Sequence, residues 1–183
     1  PDQSEDQAIE DLVTATSLKP QHISWYELTI EPNTKFYSDP PNLPDENVLE
    51  NIHENGLAFL LKNGFSRYEI SAFSSLGYQC KHNLNYWRFG DYLGIGAGAH
   101  SKITLQDGSI TRYSKTRKPD DYLSARPHAP RVNEVKLSKK ETILDFVLNA
   151  FRLTEGFTLA EFTGSTSLNP EVLEPEITSL CNQ

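Results

Sequence analysis

Between residues 4 and 74 the apolar residues switch spacing three times, from steps of three and four to steps of two and back. A chain patterned this way is committed to alternating helices and strands, that is, to an α/β class of fold. Residues 4 to 18, "SEDQAIEDLVTATSL", set Ile9, Leu12, Val13 and Thr16 on one face behind an acidic first turn, and Pro20 ends the pattern. "HISWYELTIEP" then alternates as a strand, with Tyr26, Leu28 and Ile30 on one side. The other side passes from Ile23 and Trp25 to Glu27, Thr29 and Glu31. Ligands of α/β sheets gather at the C-terminal ends of strands, which makes those three polar residues candidates for a cavity lining. The competing reading is a solvated polar face.

Residues 32 to 44 hold four prolines and read as an ordered excursion rather than an element. A helix is expected from Asp45 to about Asn63, with Val48, Ile52, Gly56 and Phe59 inward and Gly64 as its stop, followed by a short strand in "RYEISAF". "LGIGAGAHSKI" reads as a strand interrupted by glycines at 94, 96 and 98, and "SITRYSK" as its partner across an Asp107-Gly108 turn. Glycine at every second position allows close approach of a ligand or of another stretch of backbone. The spacing is not that of a dinucleotide fingerprint. From Ser138 the texture becomes helical: "SKKE" and "TLAE" are capping boxes, and Asn169-Pro170 opens a third helix. A small helical domain is therefore expected from about residue 135, giving a division into 1–134 and 135–183.

The net charge of -8 argues against a nucleic-acid partner, which needs a clustered basic face of some size. No apolar run approaches the length of a bilayer span. Two cysteines a hundred residues apart give no disulfide framework, and with no signal sequence in view a reducing, cytoplasmic setting fits best. The chain contains no methionine and opens "PDQSEDQ", so a piece of a longer protein is expected.

The segment 79–101, "QCKHNLNYWRFGDYLGIGAGAHS", concentrates the chemistry. Cys80 and His82 offer a thiolate and an imidazole, either able to ligate a haem iron, although two groups fall short of the four that a structural metal site needs. Tyr86 and Trp87 offer flat surfaces for a planar ligand, or for core packing. "RYSKTRK" gathers Arg112, Lys115, Arg117 and Lys118, which could hold carboxylates or form a solvated loop. No nucleophile stands beside an evident base, so the residues alone reach no reaction.

Taken together, "HISWYELTIEPNTKF", "YEISAF", "HNLNYW", "GIGAGAHS" and "DFVLNAFRLTEGF" resemble, in order and spacing, the radical S-adenosylmethionine proteins related to oxygen-independent coproporphyrinogen III oxidase. "HNLNYW" is similar to the His-Asn-x-x-Tyr-Trp motif of their haem-chaperone (HemW) branch. The resemblance implies the C-terminal part of an incomplete (β/α)6 barrel, followed by the start of a small winged-helix-like domain. It implies a four-iron, four-sulfur cluster and S-adenosylmethionine in the full-length protein, held through a Cys-x3-Cys-x2-Cys motif that Cys80 and Cys181 do not supply. It further implies haem binding and delivery to acceptor haemoproteins; the alternative is oxidative decarboxylation of coproporphyrinogen III. Of the residues here, Thr29 and His100 would line the cofactor cavity, His82 would contact haem iron, and Asn83, Tyr86 and Trp87 would complete the motif. A homodimer is compatible with this reading.

Overall fold

A computed structural model describes residues 2–124 and 131–175. The chain folds as two compact units, residues 1–80 and 81–183. The boundary expected near residue 135 falls inside the second of them.

In the first unit, α1 (Glu5–Ser17) starts at a Ser4 capping box with Gln7 and buries Ala8 and Leu12, while Val13 is exposed. After β1 (His22–Ser24) and the single helical turn α2 (Lys35–Ser38), α3 (Glu46–Lys62) runs from an Asp45 cap to Asn63. Gly64 then takes a φ of 83°, a left-handed angle that favours glycine. The excursion at 32–44 thus holds one short element, because Thr34 caps the amide of Tyr37. "RYEISAF" forms two strands rather than one: β2 (Ser66–Glu69) turns at Ile70 and Ser71 into β3 (Ala72–Ser74), with an irregular register between Arg67 and Glu69. The sheet order is β1-β3-β2, antiparallel throughout. Leu12, Ile23, Leu60, Phe65 and Phe73 form its core.

The strand expected over 22–32 is paired only as far as Ser24, opposite Ala72 where β3 begins; beyond it the Trp25 amide donates to the Ser71 carbonyl at 2.9 Å. Trp25 lies against Gly56 of α3, where an added Cβ would meet its six-membered ring. That contact explains a glycine in the middle of a helix.

The second unit opens with α4 (Lys81–Trp87) and continues through β4 (His100–Thr104), β5 (Ile110–Ser114), α5 (Pro119–Ser124), β6 (Val132–Lys136), α6 (Lys139–Ala150), α7 (Leu159–Thr166) and a 3-10 turn at Pro170–Leu173. β4, β5 and β6 make a second antiparallel sheet in that order. The Asp107-Gly108 turn is present: Leu105 donates to Ser109, and Gly108 has a φ of 77°. Both capping boxes, Ser138 with Glu141 and Thr158 with Glu161, are present. The buried stripe of α6 is Thr142, Phe146 and Ala150, so Phe151 is left exposed. Phe89, Ile110, Phe146, Ala150, Phe162 and Leu173 form this unit's core. Asn169 caps a 3-10 turn, and the helix-like pattern at 176–183, with Cys181, lies outside the described residues.

A further expectation changes here. Residues 94–99 are not strand; they form a turn, and β4 begins only at His100. The motif at 82–87, which carries no strand pattern, sits on α4.

Candidate functional site

The spacing His-Asn-x-x-Tyr-Trp acquires a physical meaning on α4. Residues four apart on a helix stand one above the other, so His82 pairs with Tyr86 and Asn83 with Trp87. The exposed His82 ring meets Tyr86 edge-on, with centroids 4.8 Å apart and planes at 70°. Tyr86 in turn rests on Tyr92, with ring centroids 4.5 Å apart, and lies 6.4 Å from the Trp87 ring. Asn83 is half-buried on the same helix.

Trp87 faces elsewhere. The Arg152 guanidinium sits over its ring at 4.3 Å, and the indole lines a cavity of about 190 Å³ with Phe146, Leu153 and Phe157. Its Nε1 is buried without a hydrogen-bond partner.

Tyr92 is fixed by backbone: its amide donates to the Lys102 carbonyl at 3.0 Å and its carbonyl accepts from the Lys102 amide at 3.1 Å. Burial, opposed by Arg112, holds the Tyr92 phenol above its ordinary value. The Lys102 side chain, which no motif marks, is itself buried. Its ammonium donates to the Phe89 carbonyl at 2.8 Å and to Asp91 at 3.0 Å, and lies 4.0 Å from the Phe89 ring centre. Burial pulls the lysine below its ordinary value against the pull of Asp91. Burial would raise Asp91, but bonds from the Thr104 amide, Lys102 and the Thr104 hydroxyl outweigh it and hold the carboxyl low. A clamp of this kind fixes residues 89–92, and through Tyr92 the floor on which Tyr86 and His82 stand.

The glycine segment is tied to neighbouring residues of the same unit. Gly94 donates to the Ser101 hydroxyl, Gly96 to the Tyr122 hydroxyl and Gly98 to the Thr116 carbonyl. An added Cβ at Gly94 would strike the His100 carbonyl, while Gly96 and Gly98 have φ of 107° and 71°. Of the two uses expected for these glycines, the close approach is of backbone to backbone. His100 is exposed at the head of β4, opposite Ser114, and among the described residues no ring contact joins it to His82.

The basic run is divided. Arg112 is tied to Asp145 of α6 at 3.0 Å and Lys115 lies 5.5 Å from the Tyr113 ring, while Arg117 and Lys118 are exposed.

In the first unit Thr29 is exposed, with Glu27 and Glu31, and only Glu27 lines a cleft of about 290 Å³ formed with Trp25, Leu43, Pro44, Leu49 and Ile52. Cys80 is half-buried, its amide donating to the Tyr68 hydroxyl at 3.3 Å, and that hydroxyl lies 2.8 Å from His22 Nε2. Burial, opposed by Glu69, lowers the His22 value. No group of three or more His, Cys, Asp or Glu side chains among the described residues could hold a metal ion.

Over 177 residues, 97% of this chain, the sequence is 48% identical to the haem chaperone HemW of Escherichia coli and 46% identical to that of Haemophilus influenzae. The chain belongs to the HemW family. The HemW of Lactococcus lactis is 32% identical over 188 residues, so the relation reaches across distant bacteria. The chain spans about half the length of these HemW relatives, 46% of the Escherichia coli protein. Comparison with models of protein families gave no match. In fold the chain is similar to the solved coproporphyrinogen III oxidase of Escherichia coli, a radical SAM enzyme. The TM-score is 0.66 over 98% of this chain and 46% of that one, at 14% identity.

Proposed function

We propose that the chain supplies the haem-holding portion of a HemW-type protein, which binds haem and hands it to acceptor haemoproteins. The observation that carries the reading is the placing of His82: an exposed imidazole on a short helix, braced edge-on by Tyr86, with a nitrogen free to meet an iron from the solvent side. Tyr86 completes that face, Asn83 completes the motif on the adjoining side, and Trp87 holds the helix to the α6 side of the unit. Thr29 and His100 line the cofactor cavity of the whole protein. There, residues 1–134 complete an incomplete (β/α)6 barrel, and residues from 135 begin a winged-helix-like domain.

A four-iron, four-sulfur cluster and S-adenosylmethionine belong to the full-length protein in this reading. The described residues do not fit the cluster, since Cys80 is their one cysteine and no three-ligand group accompanies it. No step of haem holding is routed through it. No helix among the described residues is long and apolar enough to cross a membrane; we place the whole protein in the cytoplasm, as a monomer or homodimer.

Haem titration of the whole protein tests the reading. His82→Ala is expected to shift the Soret band and weaken binding about tenfold or more, since loss of one good ligand is worth at least 1.4 kcal/mol; an unchanged band removes His82 from the site. The likeness to an oxidase concerns fold alone. Anaerobic incubation of the whole protein, its cluster reduced and S-adenosylmethionine supplied, with coproporphyrinogen III is expected to yield no protoporphyrinogen IX, and robust product would replace the chaperone reading with the enzymatic one.

A further inference from the structure

Haem bears two propionate carboxylates, and this chain carries a net charge of -8. A dianion approaching such a surface needs local cations, or it is repelled. The cluster suggested by sequence is poorly suited: Arg112, its first member, is already neutralised by Asp145.

α4 offers a different pair. Lys81 is the first residue of α4 and Arg88 directly follows its last, with the Arg88 amide still donating to the Leu84 carbonyl at 2.9 Å; seven positions apart, two helical turns, they share one side. With Leu84, Asn85 and Gly90 they line an open concavity of about 300 Å³. Both cations are exposed, and neither joins any ion pair found among the described residues. The acid on which Arg88 acts electrostatically, Glu161, is already engaged in capping α7 through the amide and hydroxyl of Thr158. Asn85, itself exposed, donates its side-chain amide to the Asp91 carbonyl at 3.0 Å, and the two cations are the charged groups among the residues that line the hollow. At 100° per residue this basic side adjoins the side that carries His82 and Tyr86, with Lys81 the direct neighbour of His82.

We infer that the Lys81–Arg88 hollow receives the propionate carboxylates of the porphyrin whose iron faces His82. This rests on the haem-holding reading above and adds an orientation to it: metal toward the imidazole side of α4, carboxylates toward the ammonium and guanidinium side. The matching is two cations to two anions, with the guanidinium able to grip a carboxylate through two parallel N–H bonds. A carboxylate-free porphyrin gains nothing from the hollow.

The test compares haem with haem dimethyl ester, whose propionates are capped, on the whole protein as wild type, as the double variant Lys81→Gln/Arg88→Gln, and as His82→Ala. Both replaced cations are exposed, so the double variant is expected to fold, which its circular dichroism checks. Expected is a loss of about tenfold or more in haem affinity for the double variant, from charge-assisted bonds forgone, with ester affinity equal to that of wild type. His82→Ala is expected to weaken both ligands alike. If the double variant binds haem as tightly as wild type, or loses haem and ester equally, the hollow is not a propionate site, and the His82 result stands unaffected. If His82→Ala changes neither ligand, the haem-holding reading itself fails.

Discussion

Burying a lysine costs several kcal/mol unless its three protons find partners, and Lys102 with 1% of its surface exposed meets that demand through Phe89, Asp91 and the face of the Phe89 ring. Lys102→Met keeps the length of the side chain but leaves the Phe89 carbonyl without its donor. A loss of about 1–3 kcal/mol in urea denaturation is expected. Acid acts on the other partner. Because Asp91 is held below the ordinary carboxyl range in the fold, its contribution is complete above that range and is lost as pH falls through the lowered value. The gap in urea midpoint between wild type and Asp91→Asn is therefore widest near neutral pH and closes at strongly acid pH. Lys102 acts at the alkaline end in the same direction, stability rising as pH passes its lowered value and the burden of its buried charge eases. In the sequence Lys102 is an ordinary polar residue in "HSKI", and its partner lies eleven positions away, so nothing local gives the clamp away. His82, Tyr86 and Trp87 stand out by type and spacing. What the spacing does not disclose is that Tyr86 and Trp87, neighbours in the chain, look to different surroundings.

Elements bounded by side-chain caps were the readable ones. Ser4, Asp45, Ser138 and Thr158 each take a backbone amide and fix where a helix starts, a local interaction that a sequence displays openly. α4, with seven residues, is too short to show a period, and β6, exposed at nearly every position, has no alternation to read. The "GIGAGA" run misled because alternate small residues imitate a strand, whereas the positive φ at Gly96 and Gly98 marks a turn. α3 offers a test at this scale. Gly56→Ala improves helix propensity by about 1 kcal/mol but drives a methyl group into Trp25, an overpacking worth about 1–3 kcal/mol. A net loss of about 1 kcal/mol is expected, with altered tryptophan fluorescence as the ring, stacked 6.5 Å from His53, is displaced.

At the scale of the whole molecule, the mixed α/β character was legible from the change of apolar period, and the likeness to a radical SAM fold from the resemblance of its motifs to that family. The antiparallel pairing of every described strand was not, because alternation fixes which face a residue takes and says nothing of its neighbour's direction. The two cores have no residue in common. Phe73→Leu and Phe146→Leu, one in each, are expected to cost stability additively, the double variant matching the sum within about 0.5 kcal/mol. A larger coupling in calorimetry would show that the units exchange strain.

Phe89 has a φ of 60°, a conformation a bulky residue seldom takes, and its carbonyl is the atom the Lys102 ammonium grips. Across generations, then, positions 89 and 102 are not independent. A lineage that surrenders the lysine loses what restrains an awkward backbone, and it is pressed toward glycine or asparagine thirteen residues earlier, at the expense of the aromatic ring that fills the core.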